Sequence, residues 1–219
     1  MPPPARIFIV DDHPLVREWL WTLLRQQPDF EVCGQAEDTR GAMEGIAKSP
    51  PDVAIVDLSL QGASGLDLIK DLRAQHPQVA VIVLSMHEEI YYAERALRAG
   101  ARGYIMKRES TGRIVEAIRR VRAGGLYASE EMLARLAERM VGGGTVSPQG
   151  PVATLSDREI EVFRRLGEGH TTRQIATDLG VSMKTVQAYC ARIKEKLNLA
   201  SGAELVRDAV RWIERERRT

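Results

Sequence analysis

The chain has 219 residues, 44% of them hydrophobic and 28% charged, with a formal net charge of +1. That balance excludes a disordered or collagen-like chain, no apolar stretch is long enough to span a membrane, and the length allows one larger domain or two small ones. Only two cysteines occur, Cys33 and Cys190; they form neither a disulfide framework nor a metal-ligand spacing, which predicts a reducing, cytoplasmic setting.

At the N-terminus, Met1–Ala5 has no charged region followed by a long apolar core, so no secretory signal is expected. Ile7–Val10 is a short apolar run that leads into Asp11 and Asp12. Pro14–Gln27 reads as a helix entered through Pro14, with Leu15, Trp19, Leu20, Leu23 and Leu24 at helical spacing. Glu31–Ala36 reads as a second strand. Thr39–Lys48 reads as a helix stopped by Ser49-Pro50-Pro51. Val53–Val56 leads into Asp57, and Leu66–Gln75 follows as a helix with Leu66, Ile69 and Leu72 as its buried stripe. Val81–Leu84 leads into Ser85, and a helix over Glu88–Ala99 ends at Gly100. Gly103–Met106 leads into Lys107, and Thr111–Ala123 closes this half before Gly124-Gly125. Buried apolar runs that alternate with helices predict an α/β, doubly wound parallel sheet.

Ser129–Met140 reads as a short amphipathic helix with Leu133, Leu136 and Met140 on one side. Val141–Pro151 is dominated by glycine, proline and small polar residues, the composition of a flexible linker and a domain boundary. Beyond it the strand signals vanish and an all-α domain of four helices is predicted. Ser156 and Glu159 form a capping box for the first, whose apolar face is Ile160, Val162, Phe163 and Leu166. Thr171–Leu179 stops at Gly180. Ser182–Leu197 has Ser182 as N-cap, and Ser201–Glu216 is the last. A short helix, a turn and a longer helix make a helix-turn-helix. From Thr154 to Thr219 the chain carries 13 Lys and Arg against 10 Asp and Glu, a balance of +3 that is compatible with nucleic acid.

Open parallel sheets bind ligands at the carboxyl ends of their strands, near the switch point. There the expected strands bring together Asp11, Asp12, Asp57, Ser85 and Lys107. A carboxylate cluster calls for a hard cation with oxygen ligands, and Mg²⁺ is the natural one. A lysine and a hydroxyl beside it suit the oxygens of a phosphoryl group. His13 reads as a loop residue, His87 and Glu88 as borders of the pocket, and Trp19 and Trp21 as packing of the first helix.

The stretches Ile9–Arg17, Val53–Leu58 and Gly100–Lys107 resemble the receiver domain of two-component response regulators over about residues 5–123. Leu155–Val162, with Gly169, Ile175-Ala176 and Thr185-Val186, resembles the LuxR/NarL-type DNA-binding domain over about residues 153–213. Together they give the layout of the NarL/FixJ family: a receiver over 1–125, a linker over 126–152 and a DNA-binding domain over 153–219. The resemblance implies strand order 2-1-3-4-5. It implies Asp57 as phosphoacceptor, Asp11, Asp12 and Asp57 as Mg²⁺ ligands, Lys107 as the partner of the phosphorylated state, and Ser85 and Tyr104 as a switch in which Tyr104 rotates inward. The implied partners are a sensor histidine kinase, double-stranded promoter DNA and RNA polymerase, with a homodimer as the active form and no membrane. The resemblance implies no enzyme beyond slow self-dephosphorylation.

Within the third helix of the second domain, Val186, Cys190, Ile193 and Leu197 recur at core spacing. Lys184, Ala188, Ala191, Arg192 and Glu195 lie opposite, flanked by Thr185, Gln187 and Lys194. Lys184 and Arg192 are expected on phosphates, Gln187 and Ala188 on bases. Leu205, Ala209 and Trp212 are expected to form the dimer contact, with Trp212 equally readable as core. Gln187 and Tyr189 stand where the family usually has lysine and histidine, which leaves the target sequence open. Gln61 and Arg108 stand where receivers often have proline. A pseudo-receiver regulator and a phosphatase or phosphotransferase on the same fold are the rival readings.

Overall fold

Ala5–Val10 (β1), Phe30–Ala36 (β2), Val53–Val56 (β3), Ala80–Ser85 (β4) and Gly103–Met106 (β5) hydrogen-bond as one five-stranded parallel sheet in the order β2-β1-β3-β4-β5. The computed structural model describes residues 3–60, 63–86, 89–109, 111–130, 132–134, 137 and 150–216. The chain divides into two compact units, Met1–Gly144 and Thr145–Thr219.

In the first unit the helices are Pro14–Arg25 (α1), Thr39–Lys48 (α2), Gly65–Gln75 (α3), Glu89–Ala99 (α4) and Thr111–Arg122 (α5). The chain steps outward from β1 to β2, then reverses and runs through β3 to β5. Because parallel crossovers are right-handed, that reversal sends the later connecting helices to the opposite face from α1. The core on the α1 side is Ile7, Ile9, Val53, Ile55, Ile82, Leu84 and Ile105, packed with Leu20 and Leu24 of α1 and Ile114, Ile118 and Val121 of α5. Apolar residues at every position of β3 follow from this double cover. Trp19 and Trp21 pack against the same core.

The boundaries differ from expectation by a residue or two. α1 stops at Arg25, where the Gln26 N–H donates to the Leu23 carbonyl and the Gln27 N–H to the Leu24 carbonyl. β4 includes Ser85, so this serine belongs to the strand and not to the loop beyond it. Among the described residues every peptide bond is trans, the one before Arg108 included. Half of the expected helix over Ser129–Met140 lies outside the described residues, Leu136 and Met140 among them, as do Gln61, His87, Glu88 and most of the expected linker; of the described half, residues 130, 132–134 and 137 are helical.

The second unit opens with a short 3₁₀ turn at Gly150–Thr154, followed by Asp157–Gly167 (α6), Thr172–Asp178 (α7), Met183–Leu197 (α8) and Gly202–Glu216 (α9). The Ser156 hydroxyl accepts the Glu159 N–H, and the Glu159 carboxylate accepts the Ser156 N–H, as the sequence predicts. A second capping box, Thr171 with Gln174, starts α7. Gly180, at φ +62°, makes the turn between α7 and α8.

The structure corrects the expected dimer residues. Leu205, Ala209 and Trp212 are only 2%, 0% and 6% exposed. They form the inner face of α9 where it crosses α6, with the Trp212 and Phe163 rings 5.7 Å apart. An apolar face already filled by its own domain is not free to meet a second copy. The large apolar residues that α9 exposes, among those described, are Val206 and Val210.

Two glycines permit close approaches. A Cβ on Gly167 would lie 2.5 Å from the Ala209 carbonyl oxygen, so α6 and α9 cross with their backbones nearly in contact. A Cβ on Gly65 would lie 2.2 Å from the Asp57 carbonyl oxygen and 2.6 Å from Leu58 Cα. Gly65→Ala is therefore expected to destabilise the first unit by about 1–3 kcal/mol, read as a lower urea midpoint. Gly112→Ala, where nothing lies within 4 Å, is the control and should leave the midpoint unchanged or raise it.

Candidate functional site

The carboxyl ends of β1, β3, β4 and β5 lie side by side, with Val10 opposite Val56, Val56 opposite Val83, and Ser85 opposite Met106. The residue after each end is therefore presented on one edge. The Asp57 N–H donates to the Val10 carbonyl at 2.8 Å, and the Lys107 N–H donates to the Ser85 carbonyl at 2.8 Å, so the loops leave the strands in fixed directions.

Asp11, Asp57 and Ser85 are 2%, 3% and 0% exposed. Two buried carboxylates side by side would be prohibitive without a cation. Lys107 supplies one: its Nζ lies 2.6 Å from Asp11 Oδ2 and 2.7 Å from Asp57 Oδ2. The Asp57 Oδ1 atom accepts the Ser59 N–H at 3.3 Å. Asp11 Oδ1 accepts the His13 N–H at 2.9 Å, and the Arg17 guanidinium donates to the Asp11 carbonyl.

The two sides of this ion pair shift in ways that follow from its stoichiometry. Burial pushes the Asp57 pKa up to about 6, Lys107 pulls it down, and the charge of Asp11 pushes it up again. Burial works against the Lys107 ammonium, but Asp57 and Asp11 outweigh it and hold its pKa above the ordinary lysine value. One ammonium satisfied by two carboxylates is strongly held; each carboxylate has only a share of it. Asp12 adds a third carboxylate, and its Oδ1 is buried without a hydrogen-bond partner among the described residues. The pocket is short of positive charge. Oxygen atoms of Asp11, Asp12 and Asp57 and a ring nitrogen of His13 all lie within 4.8 Å of one another. Such a donor set fits a divalent cation.

The structure thus brings Asp11, Asp12, Asp57 and Lys107 together and seats Ser85 at the end of the neighbouring strand. Tyr104 is 1% exposed, so in this structure its ring lies inside.

In the second unit, Lys184, Gln187, Ala188, Ala191 and Arg192 are exposed on α8, while Val186 and Ile193 are buried. Cys190 and Leu197, expected in the core, are only half-buried, as are Thr185 and Lys194. Thr185 takes part in the N-cap of α8, its N–H donating to the Ser182 hydroxyl at 3.1 Å. Arg192 stacks over the Tyr189 ring at 4.9 Å, with its Nε 3.9 Å from the Glu159 carboxylate. The sequence shows the capping role of Glu159 but not its second role. The carboxylate is 3% exposed and binds Lys196 Nζ at 2.6 Å. Burial raises its pKa, but the hydrogen bonds from Lys196 and Ser156 prevail and hold it below the usual range. Thus α8 is tied to the start of α6 through a charge pair between residues 37 positions apart.

Residues 7–119 match the family of response regulator receiver domains, and residues 153–209 match the bacterial regulatory proteins of the luxR family. The oxygen regulatory protein NreC of Staphylococcus carnosus is 35% identical over 94% of this chain and 97% of its own length. The transcriptional activator protein ExaE of Pseudomonas putida is 37% identical over 93% of this chain and 95% of its own. Among solved structures, RcsB from Salmonella enterica serovar Typhimurium, bound to promoter rprA with the phosphomimetic BeF₃⁻, has a TM-score of 0.65 at 26% identity, covering 93% of this chain and 97% of that one.

The raised pKa of Asp57 has a consequence for the metal-free protein. In the unfolded chain an aspartate titrates near 3.9, in the fold near 6. Between these values the native state binds more protons, so stability falls as pH rises through that window. Above it the ionised, buried Asp57 weighs against folding in full. Asp57→Asn, in the presence of chelator, should raise stability at pH 7 by on the order of 2 kcal/mol and lose that advantage near pH 4. Urea unfolding across that range checks it; a destabilised variant at pH 7 would contradict the shift.

Proposed function

The chain belongs to the response regulators that join a receiver domain to a LuxR-family DNA-binding domain, and from that premise we propose how its residues divide the work. A receiver over residues 1–125, a linker over 126–152 and a DNA-binding domain over 153–219 are the parts. Asp57 is the phosphoacceptor: a carboxylate oxygen attacks the phosphorus of a phosphohistidine presented by a sensor histidine kinase, and the N–P bond breaks. The observation that carries this assignment is Lys107 Nζ held 2.7 Å from Asp57 Oδ2 in a pocket short of positive charge.

Asp11, Asp12 and Asp57 are the residues that would hold Mg²⁺. When bound, the ion neutralises the oxygens of the transferring phosphoryl group. Lys107 would supply a second positive charge to those oxygens, and it keeps Asp57 oriented before the group arrives. The Ser85 hydroxyl, from the end of β4, would hydrogen-bond the phosphoryl oxygens afterwards. Tyr104, packed inside beside β4, senses that change through packing. The ionised form of Asp57 is the nucleophile, so burial that raises its pKa is offset when the cation binds.

In the DNA-binding domain, α8 is the recognition helix of a helix-turn-helix. Lys184 and Arg192 meet phosphates; Gln187, Ala188 and Ala191 face base edges, with Thr185 and Lys194 at the margins. The docking partner is promoter DNA, the active form a homodimer that acts on RNA polymerase, and the setting is the cytoplasm. The exposed Val206 and Val210 of α9 replace the buried Leu205, Ala209 and Trp212 as the apolar residues available to a second copy. Phosphorylation biases an equilibrium between two states of the receiver, and DNA affinity is its readout.

Wild type incubated with radiolabelled acetyl phosphate and Mg²⁺ should acquire one acid-stable, base-labile label; Asp57→Asn should acquire none. Equal labelling of the two would move the acceptor elsewhere. On DNA, Lys184→Ala should weaken binding to all sequences alike and reduce the salt slope by about 1, whereas Gln187→Ala should cost about 1–3 kcal/mol at the preferred site only. Anisotropy titrations over a range of salt separate the two effects, and a sequence-selective loss in Lys184→Ala would reverse the roles.

A further inference from the structure

His13 occupies the N-cap of α1 but makes no capping hydrogen bond with its side chain. Ser, Thr, Asp or Asn would be the usual choice for that task. The ring turns instead onto the acidic pair. Its Nδ1 lies 2.7 Å from Asp12 Oδ1 and is hydrogen-bonded to Asp11 Oδ1 at 3.3 Å. The shorter approach is not aligned as a hydrogen bond, and Asp12 Oδ1 stays buried with no hydrogen-bond partner among the described residues. A nitrogen and an oxygen that face each other this closely share a positive charge, either a proton on Nδ1 or a metal ion bound by both.

Their spacing fits a shared ion. Neighbouring ligands of an octahedral ion with bonds of about 2.1 Å are about 3 Å apart, and opposite ones about 4.2 Å. The two nitrogen–oxygen distances bracket the first value, and the four-residue group, which lies within 4.8 Å, would draw in by a few tenths of an ångström to seat the ion. The backbone holds the ring in place, because the His13 N–H is itself bonded to Asp11 Oδ1 at 2.9 Å.

We propose that His13 is a fourth protein ligand of the metal centre, through Nδ1, and that the site is therefore a mixed nitrogen and oxygen site. The inference rests on Asp11, Asp12 and Asp57 forming that centre. Imidazole adds little for Mg²⁺, which takes oxygen ligands, and much for a borderline transition ion. The pocket thus selects ions such as Co²⁺ and Mn²⁺ over Mg²⁺ more strongly than an all-oxygen site would. His13 is 63% exposed, so His13→Ala removes a ligand without opening the core.

The test uses the untagged full-length chain. Calorimetric titration with Co²⁺ and with Mg²⁺ should show His13→Ala weakened about tenfold for Co²⁺ and less than twofold for Mg²⁺. Pulsed electron paramagnetic resonance of the Mn²⁺ complex should show nitrogen-14 modulation in wild type and none in His13→Ala. Asp12→Ala should lose both ions. Mg²⁺ binding that Asp12→Ala abolishes, with no nitrogen modulation in wild type or with equal losses of the two ions in His13→Ala, would overturn the role of His13 alone. Failure of wild type to bind either ion would overturn the metal centre and His13 with it.

Discussion

A single ammonium shared by two buried carboxylates is the constraint on which the receiver unit depends. Lys107 reaches Asp11 and Asp57 from the end of β5 across the end of β4, at 2.6 and 2.7 Å. That reach requires four neighbouring strands in register and a sheet whose order reverses between β1 and β3. The apolar runs that precede each polar residue supply the register, since a slip would turn buried valines and isoleucines out of place. Burial makes the arrangement costly in the absence of a further cation or a phosphoryl group with its ion. The pocket is thereby poised between states of different charge, which is what a switch requires.

The DNA-binding unit uses a related device for a different end. Glu159 is buried, caps α6 and holds Lys196 of α8. Here the carboxylate is satisfied and its pKa falls, in contrast to Asp57. One buried carboxylate is complete and fixes the pose of a helix; the other is incomplete and waits for a ligand. Arg192, stacked on Tyr189 near Glu159, extends from this fixed platform on the face proposed to meet DNA. Tyr189 stands where the family usually has histidine, so the stack is a property of this chain's own recognition helix.

Much of this was legible in the sequence, for identifiable reasons. Four of the five strands were readable because each is a short apolar run ended by a polar residue, the signature of buried parallel strands, which the edge strand β2 lacks. Asp11, Asp57, Ser85 and Lys107 stood out because each follows or closes such a run. Helix starts were readable at Ser156 and Ser182 from their hydroxyls. What escaped depends on rotation and distance. Helical spacing shows that Leu205, Ala209 and Trp212 share a face, but only packing shows that α6 already covers it. The same holds for Tyr104, whose position in β5 was clear and whose burial was not. The Glu159–Lys196 pair is long-range in sequence, and no local pattern announces it. His13 read as a loop residue because its relation to the acidic pair lies in a side-chain rotamer.

The central claim is that filling the Asp57 pocket with a phosphoryl-like group changes how the DNA-binding unit is used. It is tested most directly by promoter affinity and molar mass, by anisotropy and light scattering, with Mg²⁺ and beryllofluoride added or withheld, on wild type and Asp57→Asn. The account predicts tighter DNA binding by wild type alone, accompanied by a shift from monomer toward dimer. The same response in Asp57→Asn, or none in wild type with beryllofluoride demonstrably bound, would contradict it.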